Sequence, residues 1–298
     1  MHTTIPLVTI VITCYNHQKF ILKCINSVIN QTYNNINIII IDDYSNDQSV
    51  LTIQNFIKNY PKITFFKNQS NFGHTKSFNQ VLDLCETDYI MDLAGDDFLE
   101  SNCIEKLIET YGKINHSEYF AVYSNCNLVS DNNEFIETYY PKNYSNKIDE
   151  NAYAAILDFR NRMCSVSALL NYKIFKTLGG YDSSLAYEDL DYWIRALRNY
   201  KIKYISDILV NKTVLQSSLY RSGFKRSSLA RKINLSTLKI LTKAFGLNQC
   251  KKEDYLLLSR IKFEMKKNIK IGYFDIFAKL LILDLKCRFR FFKLPNKK

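Results

Sequence analysis

Paired carboxylates occur at two places in the first hundred residues, each directly after an apolar stretch. Asp42 and Asp43 close the segment IIIIDD, and Asp96 and Asp97 close the segment YIMDLAGDD. A carboxylate can accept the imide N–H of a pyrimidine base. Carboxylate oxygens are also the ligands that hard divalent cations prefer, and such a cation neutralises a diphosphate. The two pairs therefore predict a site for a nucleotide diphosphate, with the acidic turn of a solvated loop as the alternative.

A third polar turn belongs to the same expected site. The apolar run 7–13 stops at Cys14-Tyr15-Asn16, and Thr13 is its last residue. Continuous apolar strands indicate a parallel sheet that is covered on both faces. Ligands bind at the carboxyl ends of the strands in such sheets. We therefore expect Thr13 and Tyr15 to face the same pocket as Asp42 and Asp43, with the tyrosine ring covering the base.

Strand and helix patterns alternate along the first half of the chain and predict an α/β fold. The patterns indicate a nucleotide-binding half over residues 1–115, an acceptor half over 116–220 and a basic helical extension over 221–298. In detail, we expect a helix over Thr75–Cys85, two separate strands over Phe120–Tyr123 and Leu128–Tyr140, a strand over Cys164–Leu170 and a last short strand over Ile202–Ile205.

The net charge of +11 is concentrated in the last part of the chain. Residues 211–298 hold 22 Lys and Arg against 5 Asp and Glu, so the preceding part is mildly acidic. The basic segment 272–293 mixes aromatics and leucines at helical spacing, which is typical of a helix on an anionic membrane surface. A helix packed on the catalytic domain, or on another subunit, is the alternative. No nucleic-acid-binding module is recognised.

The cysteine spacing and the apolar runs give further predictions about metal sites and membrane segments. The eight cysteines form no CxxC pair, so neither a zinc site nor a thioredoxin motif is expected. We read them as small core residues in a reducing cytosol. No signal peptide is recognised, and no uncharged apolar run is long enough to predict a membrane-spanning helix.

Six segments together resemble the family 2 glycosyltransferases. They are TCYN (13–16), SVINQTY (27–33), IIIIDDYSND (38–47), YIMDLAGDDFL (89–99), GGYD (179–182) and EDLDYWIR (188–195). The resemblance implies a GT-A fold, which is a Rossmann-like nucleotide-sugar-binding domain with a mostly parallel central sheet. Relatives commonly build bacterial capsule, lipopolysaccharide or other surface polymers. The resemblance thus implies an inverting transfer from a UDP-sugar to a glycan or polyprenyl-linked hydroxyl at the inner face of the cytoplasmic membrane.

The resemblance also implies roles for the residues of the nucleotide site. Asp43 would hold the base together with Thr13 and Tyr15, while Asp42 would support the loop or reach the ribose. Lys76 would lie near the diphosphate or the base.

The metal segment resembles that of the family but departs from it at one position. Asp97 would bind Mn²⁺ or Mg²⁺, with Asp96 at the ribose or sharing the metal. The first Asp of the usual motif is Ala94 here, which leaves fewer metal ligands. Asp92 lies on the same strand face as Ala94, but its position matches an apolar one in the family.

The segment EDLDYWIR is expected to supply the base that deprotonates the acceptor hydroxyl. Asp189 is the first candidate and Glu188 the second, while Trp193 and Arg195 would hold the loop by packing and ion pairing. Two other classes remain open at this point. A nucleotidyltransferase would use the carboxylates for two-metal phosphoryl chemistry, and a non-catalytic scaffold is supported only by Ala94.

Overall fold

The computed structural model of the chain describes residues 5–82, 84–141, 144, 148–158, 163–215 and 222–291. These residues form two compact units. The first comprises residues 1–146, 164–181 and 200–215, and the second comprises 147–163, 182–199 and 216–298. The predicted division into functional parts at residues 115 and 220 is a different partition and stays a prediction.

One twisted sheet organises the first unit. Its described strands are β1 (Val8–Cys14), β2 (Ile36–Asp42), β3 (Thr64–Lys67), β4 (Tyr89–Ala94), β5 (Phe98–Leu99), β6 (Tyr119–Val129), β7 (Phe135–Thr138), β8 (Ala168–Asn171) and β9 (Lys201–Thr213). The strand order is β3-β2-β1-β4-β8-β6-β9-β5, and β7 pairs with β6 at the side.

The strands that carry the polar turns are parallel neighbours, as the sequence predicts. β1 pairs with β2 and β4, and β2 pairs with β3, all in parallel. All seven residues of β1 are buried, which explains its continuous apolar sequence. The register sets Thr13 beside Ile41 on one side and Ala94 on the other, so the ends of the three strands lie at the same edge.

The helices of the first unit are α1 (Ile21–Ile29), α2 (Ser49–Ile57), α3 (His74–Asn79), α4 (Cys103–Tyr111) and α6 (Tyr172–Thr177). In α1 the side chains of Ile21, Cys24, Ile25 and Val28 are buried, which is the spacing of one helix face. The expected helix over Thr75–Cys85 is wrong in length, because α3 ends at Asn79 and turns follow it.

All four strand predictions in the second half of the sheet are also wrong in their bounds. β6 is a single strand of 11 residues that runs through Ser124–Asn127, where the sequence suggested a break. The predicted strand Leu128–Tyr140 is divided between the end of β6 and the separate strand β7. β9 is 13 residues long instead of four. The segment expected as one strand from Cys164 begins with a 3₁₀ turn at Ser165–Ser167, and β8 follows it.

The second unit is helical in its described part. It contains α5 (Ile148–Leu157), α7 (Asp189–Leu197), α8 (Ser228–Leu247), α9 (Lys251–Ile271) and α10 (Phe274–Phe291). The Ser227 side chain caps α8 by accepting the N–H of Ala230, and Gly272 ends α9 with a φ of +85°. Among the helices described here, none combines the length and the apolar character needed to cross a bilayer.

All eight cysteines are buried as free thiols. Their burial confirms the interpretation that they act as small core residues.

Candidate active site

Asp43 is the best-anchored side chain among the predicted nucleotide-site residues. It follows β2 directly and is 5% exposed. Its Oδ1 accepts hydrogen bonds from the side chain of Asn68, the backbone N–H of Phe72 and the hydroxyl of Ser77, each at 2.8 Å. Its Oδ2 accepts the N–H of Gly73 at 2.8 Å. Four donors therefore fix the carboxylate and tie the start of α3 to the end of β2.

Asp42 supports the loop that follows it. Its side chain is fully buried and accepts the backbone N–H and the hydroxyl of Ser45 at 2.9 and 2.5 Å. Tyr44 takes a φ of +68° within this tight turn. Of the two roles expected for Asp42, this geometry fits support of the loop.

Thr13 and Tyr15 lie at the end of β1 and differ in exposure. The Thr13 side chain is buried, and its Oγ1 lies 3.1 Å from Nδ1 of His74. Tyr15 is 42% exposed, which is unusual for a large aromatic side chain next to a buried strand. The N–H of Asp43 donates to the carbonyl of Cys14 at 2.8 Å, so Tyr15 follows directly after the residue that joins β1 to the Asp43 turn.

His74 joins three elements of the first unit. Its Nε2 lies 2.7 Å from Oδ2 of Asp92 on β4, and its ring packs against Phe78 and Tyr181. From the sequence, His74 is either a residue that reaches the nucleotide or an ordinary loop residue, and Asp92 has no assigned role because its position matches an apolar one in the family. Lys76 is exposed on α3, and its Nζ lies 4.3 Å from the centre of the Phe72 ring. A solvated ammonium held in this way remains available to an anion.

Asp96 and Asp97 occupy different environments in the turn between β4 and β5. Asp97 is 3% exposed, and its Oδ1 accepts the N–H of Thr213 on β9 at 2.7 Å. The Asp96 side chain is 15% exposed and lies 3.8 Å from Nε2 of His17. Asp97 therefore anchors the turn to β9, and Asp96 is the more accessible of the two carboxylates.

The pKa of the Asp97 carboxyl also reflects its buried position. Burial raises the pKa of the Asp97 carboxyl well above its usual range, and the neighbouring Asp96 raises it further. Lys212 and the N–H of Thr213 oppose this rise. Neither Lys212 nor Thr213 was predicted as part of the site. The only sequence signal is an isolated lysine within an apolar strand, and that does not identify its partner.

These residues fit a divalent cation, although Ala94 offers no ligand. Magnesium is often held by only one or two carboxylates together with phosphate oxygens of the substrate. Asp96 supplies an accessible carboxylate, and Asp97 lies next to it. Asp92 has a buried Oδ1 that accepts no hydrogen bond from the described residues, but its Oδ2 contacts His74.

In the second unit, the predicted base lies at the start of α7. Glu188 occupies the N-cap position, and Asp189 is the first helical residue. Both side chains are half-buried, and Oδ1 of Asp189 accepts the N–H of Leu190 at 2.6 Å. Carboxylates at a helix N-terminus are stabilised in their charged form, which suits a group that must accept a proton.

An ion-pair network fixes α7 within the second unit. The carboxylate of Asp191 is 1% exposed and binds Nε of Arg195 and Nζ of Lys243, each at 2.7 Å. Lys243 also binds Asp182 at 2.6 Å. Trp193 is buried, so the predicted packing of Trp193 and ion pairing of Arg195 are confirmed. Lys243 was missed, because a lysine 52 positions from its partner carries no local signal.

The Asp182 contacts predict a stability change at acidic pH. Burial alone would raise the pKa of Asp182, but Lys243 and Ser184 lower it more, to below its ordinary value. The pair thus stabilises the fold above the ordinary pKa of about 3.9, and this contribution is lost as the pH falls further. We expect Asp182→Asn to lower the free energy of unfolding at pH 7 by about 1 kcal/mol or less.

Urea unfolding at pH 7 and at acidic pH measures this effect. The difference between variant and wild type should shrink as the pH falls below about 4. The matched control is Asp131→Asn, since Asp131 makes an exposed pair with Lys19 at 3.4 Å and is 58% exposed. A difference for Asp182→Asn that stays constant with pH would contradict the expectation.

The turn at the start of the GGYD segment depends on Gly179 and Gly180 for its backbone shape. Their φ angles are +76° and +66°, which other residues rarely adopt. A Cβ on Gly180 would lie 2.5 Å from Cδ1 of Leu82 and 2.9 Å from Oδ1 of Asn79. The turn therefore needs glycine at this position for two independent reasons. It leads into Tyr181, which is buried against Phe78 and Phe175.

We expect Gly180→Ala to lower the free energy of unfolding by about 2–4 kcal/mol, because strain and overpacking act together. Gly246→Ala is the control, since that glycine lies in α8 with no atom within 4 Å of an added Cβ. The control should be neutral or more stable by up to about 1 kcal/mol. Thermal unfolding of both variants measures the contrast, and equal melting temperatures would refute it.

Comparisons with known proteins agree with this geometry. The sequence signature of Glycosyl transferase family 2 matches residues 9–176. Chondroitin synthase of Escherichia coli is 26% identical over 258 residues, which cover 83% of this chain and 36% of that protein. The chain thus spans about a third of the length of that relative.

Solved structures show the same fold. Residues 1–349 of TarS from S. aureus, in complex with UDP-GlcNAc, superpose with a TM-score of 0.71 at 15% identity, over 94% of this chain and 81% of that one. The mannosyltransferase PcManGT from Pyrobaculum calidifontis, in complex with GDP-Man and Mn²⁺, superposes with a TM-score of 0.57 at 13% identity. The superposition covers 95% of this chain and 88% of that one.

The sheet, its polar turns and these neighbours define a GT-A glycosyltransferase fold. The chain belongs to glycosyltransferase family 2, and it is an enzyme related to polysaccharide synthases. The family and fold class inferred from the sequence are thereby confirmed.

Proposed function

We propose that the protein transfers a sugar from a UDP-sugar to a hydroxyl of a growing surface glycan, with inversion at the anomeric carbon. The observation that carries this proposal is the Asp43 carboxylate, which is held by four donors and follows a backbone bond to Cys14, the residue before the exposed Tyr15. Oδ2 accepts only the N–H of Gly73 among the described residues. It thus keeps a lone pair for the imide N–H of uracil, while Thr13 and Tyr15 complete the base site.

Asp97 and Asp96 are the proposed holders of Mn²⁺ or Mg²⁺, and Asp96 is the more accessible of the two. A bound cation would neutralise the diphosphate as it leaves the sugar. Lys76 is the proposed second positive charge for the diphosphate, since its ammonium lies exposed on α3. Asp189 is the proposed base, and Glu188 is the second candidate. The base removes the acceptor proton as the acceptor oxygen attacks the anomeric carbon.

The proposed acceptor is a glycan that is free or linked to a polyprenyl carrier. Such carriers lie in the cytoplasmic membrane, so the enzyme would work at its inner face. A non-catalytic scaffold remains the competing function, and Ala94 is the observation that favours it.

Thermal unfolding with UDP, GDP or CDP, each with and without Mn²⁺, tests the donor and the metal. A ligand at 100 times its dissociation constant adds about 2.7 kcal/mol to the free energy of unfolding. We expect a shift for UDP that requires Mn²⁺. If no nucleotide raises the melting temperature, the scaffold becomes the better proposal.

Two carboxylate variants separate the roles in the metal turn. We expect Asp96→Asn to remove the Mn²⁺-dependent part of the shift in melting temperature that UDP causes. The free energy of unfolding of the apo-protein should stay within about 1 kcal/mol of the wild-type value, because Asp96 is partly exposed. Asp97→Ala should also destabilise the apo-protein, because it leaves the buried N–H of Thr213 without its acceptor. The same apo-protein stability in both variants would contradict this division of roles.

A further inference from the structure

The last helix has two apolar faces, one buried and one largely exposed in the described part of the chain. The inner face of α10 contains Ile276, Leu280, Leu283 and Cys287, all between 0% and 5% exposed. The outer face contains Phe274, Leu281, Ile282, Leu285 and Phe289, which are between 39% and 70% exposed. At 100° per residue, these five positions lie within an arc of about 100°. Contiguous exposed apolar side chains of this size often mark a surface that contacts a protein or a membrane.

Positive charge borders this outer face. Lys279 and Lys286 lie exposed on one side of it, and Arg288 lies on the other. The outer face continues into a shallow apolar groove of about 530 Å³. The groove is lined by Phe245 of α8 and by Ile282, Leu285, Lys286, Phe289 and Arg290.

The charge of the whole helical segment has the same sign. Residues 228–291 hold 15 Lys and Arg against 5 Asp and Glu. Each of these five carboxylates is paired with a basic side chain: Glu253 with Arg198, Asp254 with Arg290, Glu264 with Lys267, Asp275 with Arg231, and Asp284 with Arg288. The segment therefore has a large surplus of positive charge.

We propose that the outer face of α10 docks on an anionic lipid bilayer, with its apolar side chains in the headgroup boundary and its lysines on lipid phosphates. Apolar side chains bordered by basic ones are the pattern of helices that lie in the membrane interface. A second copy of this chain fits less well, since two segments of net charge +10 would repel each other at a desolvated contact. This docking rests on the proposed function only for the location of the acceptor.

Vesicle flotation of the full chain without donor tests the docking. We expect binding to phosphatidylcholine vesicles that contain one third phosphatidylglycerol, and weak binding to pure phosphatidylcholine. The double variant Leu285→Ser with Phe289→Ser should lower the partition coefficient at least about tenfold. The matched control is Phe135→Ser with Ile136→Ser on β7, where the exposed fractions are 64% and 51%. The control should bind like wild type.

A charge-reversal pair tests the electrostatic part. Lys279→Glu with Lys286→Glu should weaken binding to anionic vesicles at low ionic strength, whereas the exposed pair Lys58→Glu with Lys62→Glu should not. Binding that is equal in the α10 variants and their controls, or absent in wild type, would overturn the proposal. A dimer in solution that the Leu285 and Phe289 changes dissociate would overturn it in favour of a second copy. Since no donor is present, either failure leaves the proposed sugar transfer intact.

Discussion

Asp189→Asn is expected to lower the rate of sugar transfer by about 10²–10⁴, because the variant cannot take the acceptor proton. Donor binding should change little, since the proposed donor residues lie in the first unit. The side chain is nearly isosteric, so its oxygen can still accept the N–H of Leu190. The measurement is kcat with a synthetic acceptor, together with the UDP-dependent shift in melting temperature.

Glu188→Gln is the matched comparison for Asp189→Asn. Both carboxylates are half-buried at the same helix start, so each change removes one negative charge from the same place. We expect Glu188→Gln to keep most of its transfer rate. If Glu188→Gln is the inactive variant and Asp189→Asn stays active, the roles of the two residues are reversed.

Asp43→Ala is expected to have the largest effect on the first unit. The change leaves four donors without their acceptor. Three of these donors belong to Asn68, Phe72 and Gly73, which lie in the loop between β3 and α3. Buried unsatisfied donors cost about 1–3 kcal/mol each before relaxation, so we expect a loss of roughly 3–5 kcal/mol. Binding of UDP should be lost in the same variant.

Asn68→Ala provides a graded control, because it removes a single donor to Asp43 and a second bond to Ser77. It should lose about 1–2 kcal/mol. Chemical denaturation measures both changes, and titration calorimetry with UDP measures the affinity. A protein with Asp43→Ala that unfolds like wild type would show that the four hydrogen bonds contribute nothing net.

The ends of the first strands could be predicted from the sequence, because each apolar run stops at a polar turn. An apolar run followed by a polar turn is a local signal, so the ends of β1, β2 and β4 were located together with Asp43 and Asp96. The GGYD segment marked the turn before Tyr181 for the same reason, since glycine adopts a positive φ more readily than other residues.

Contacts between distant segments were not predictable. The bond from Thr213 to Asp97 and the pair of Lys243 with Asp191 depend on how the strands and helices pack, and residue types alone do not encode these choices. The predicted length of β6 was wrong for a similar reason. Polar residues usually indicate a loop, but Ser124 and Asn125 lie buried within the strand. On α10, periodicity identified apolar residues but not which of them face outward.

The distance along the chain between Asp97 and its backbone partner has a consequence during synthesis. Thr213 follows Asp97 by 116 positions, and a ribosome adds about 5–20 residues each second. The base-binding turns of β1 and β2 are therefore complete on the order of ten seconds before β9 exists to lock the turn that holds Asp97. We therefore expect the metal turn to be completed later than the base-binding turns, so a chain still on the ribosome would lack the Mn²⁺-dependent binding of UDP.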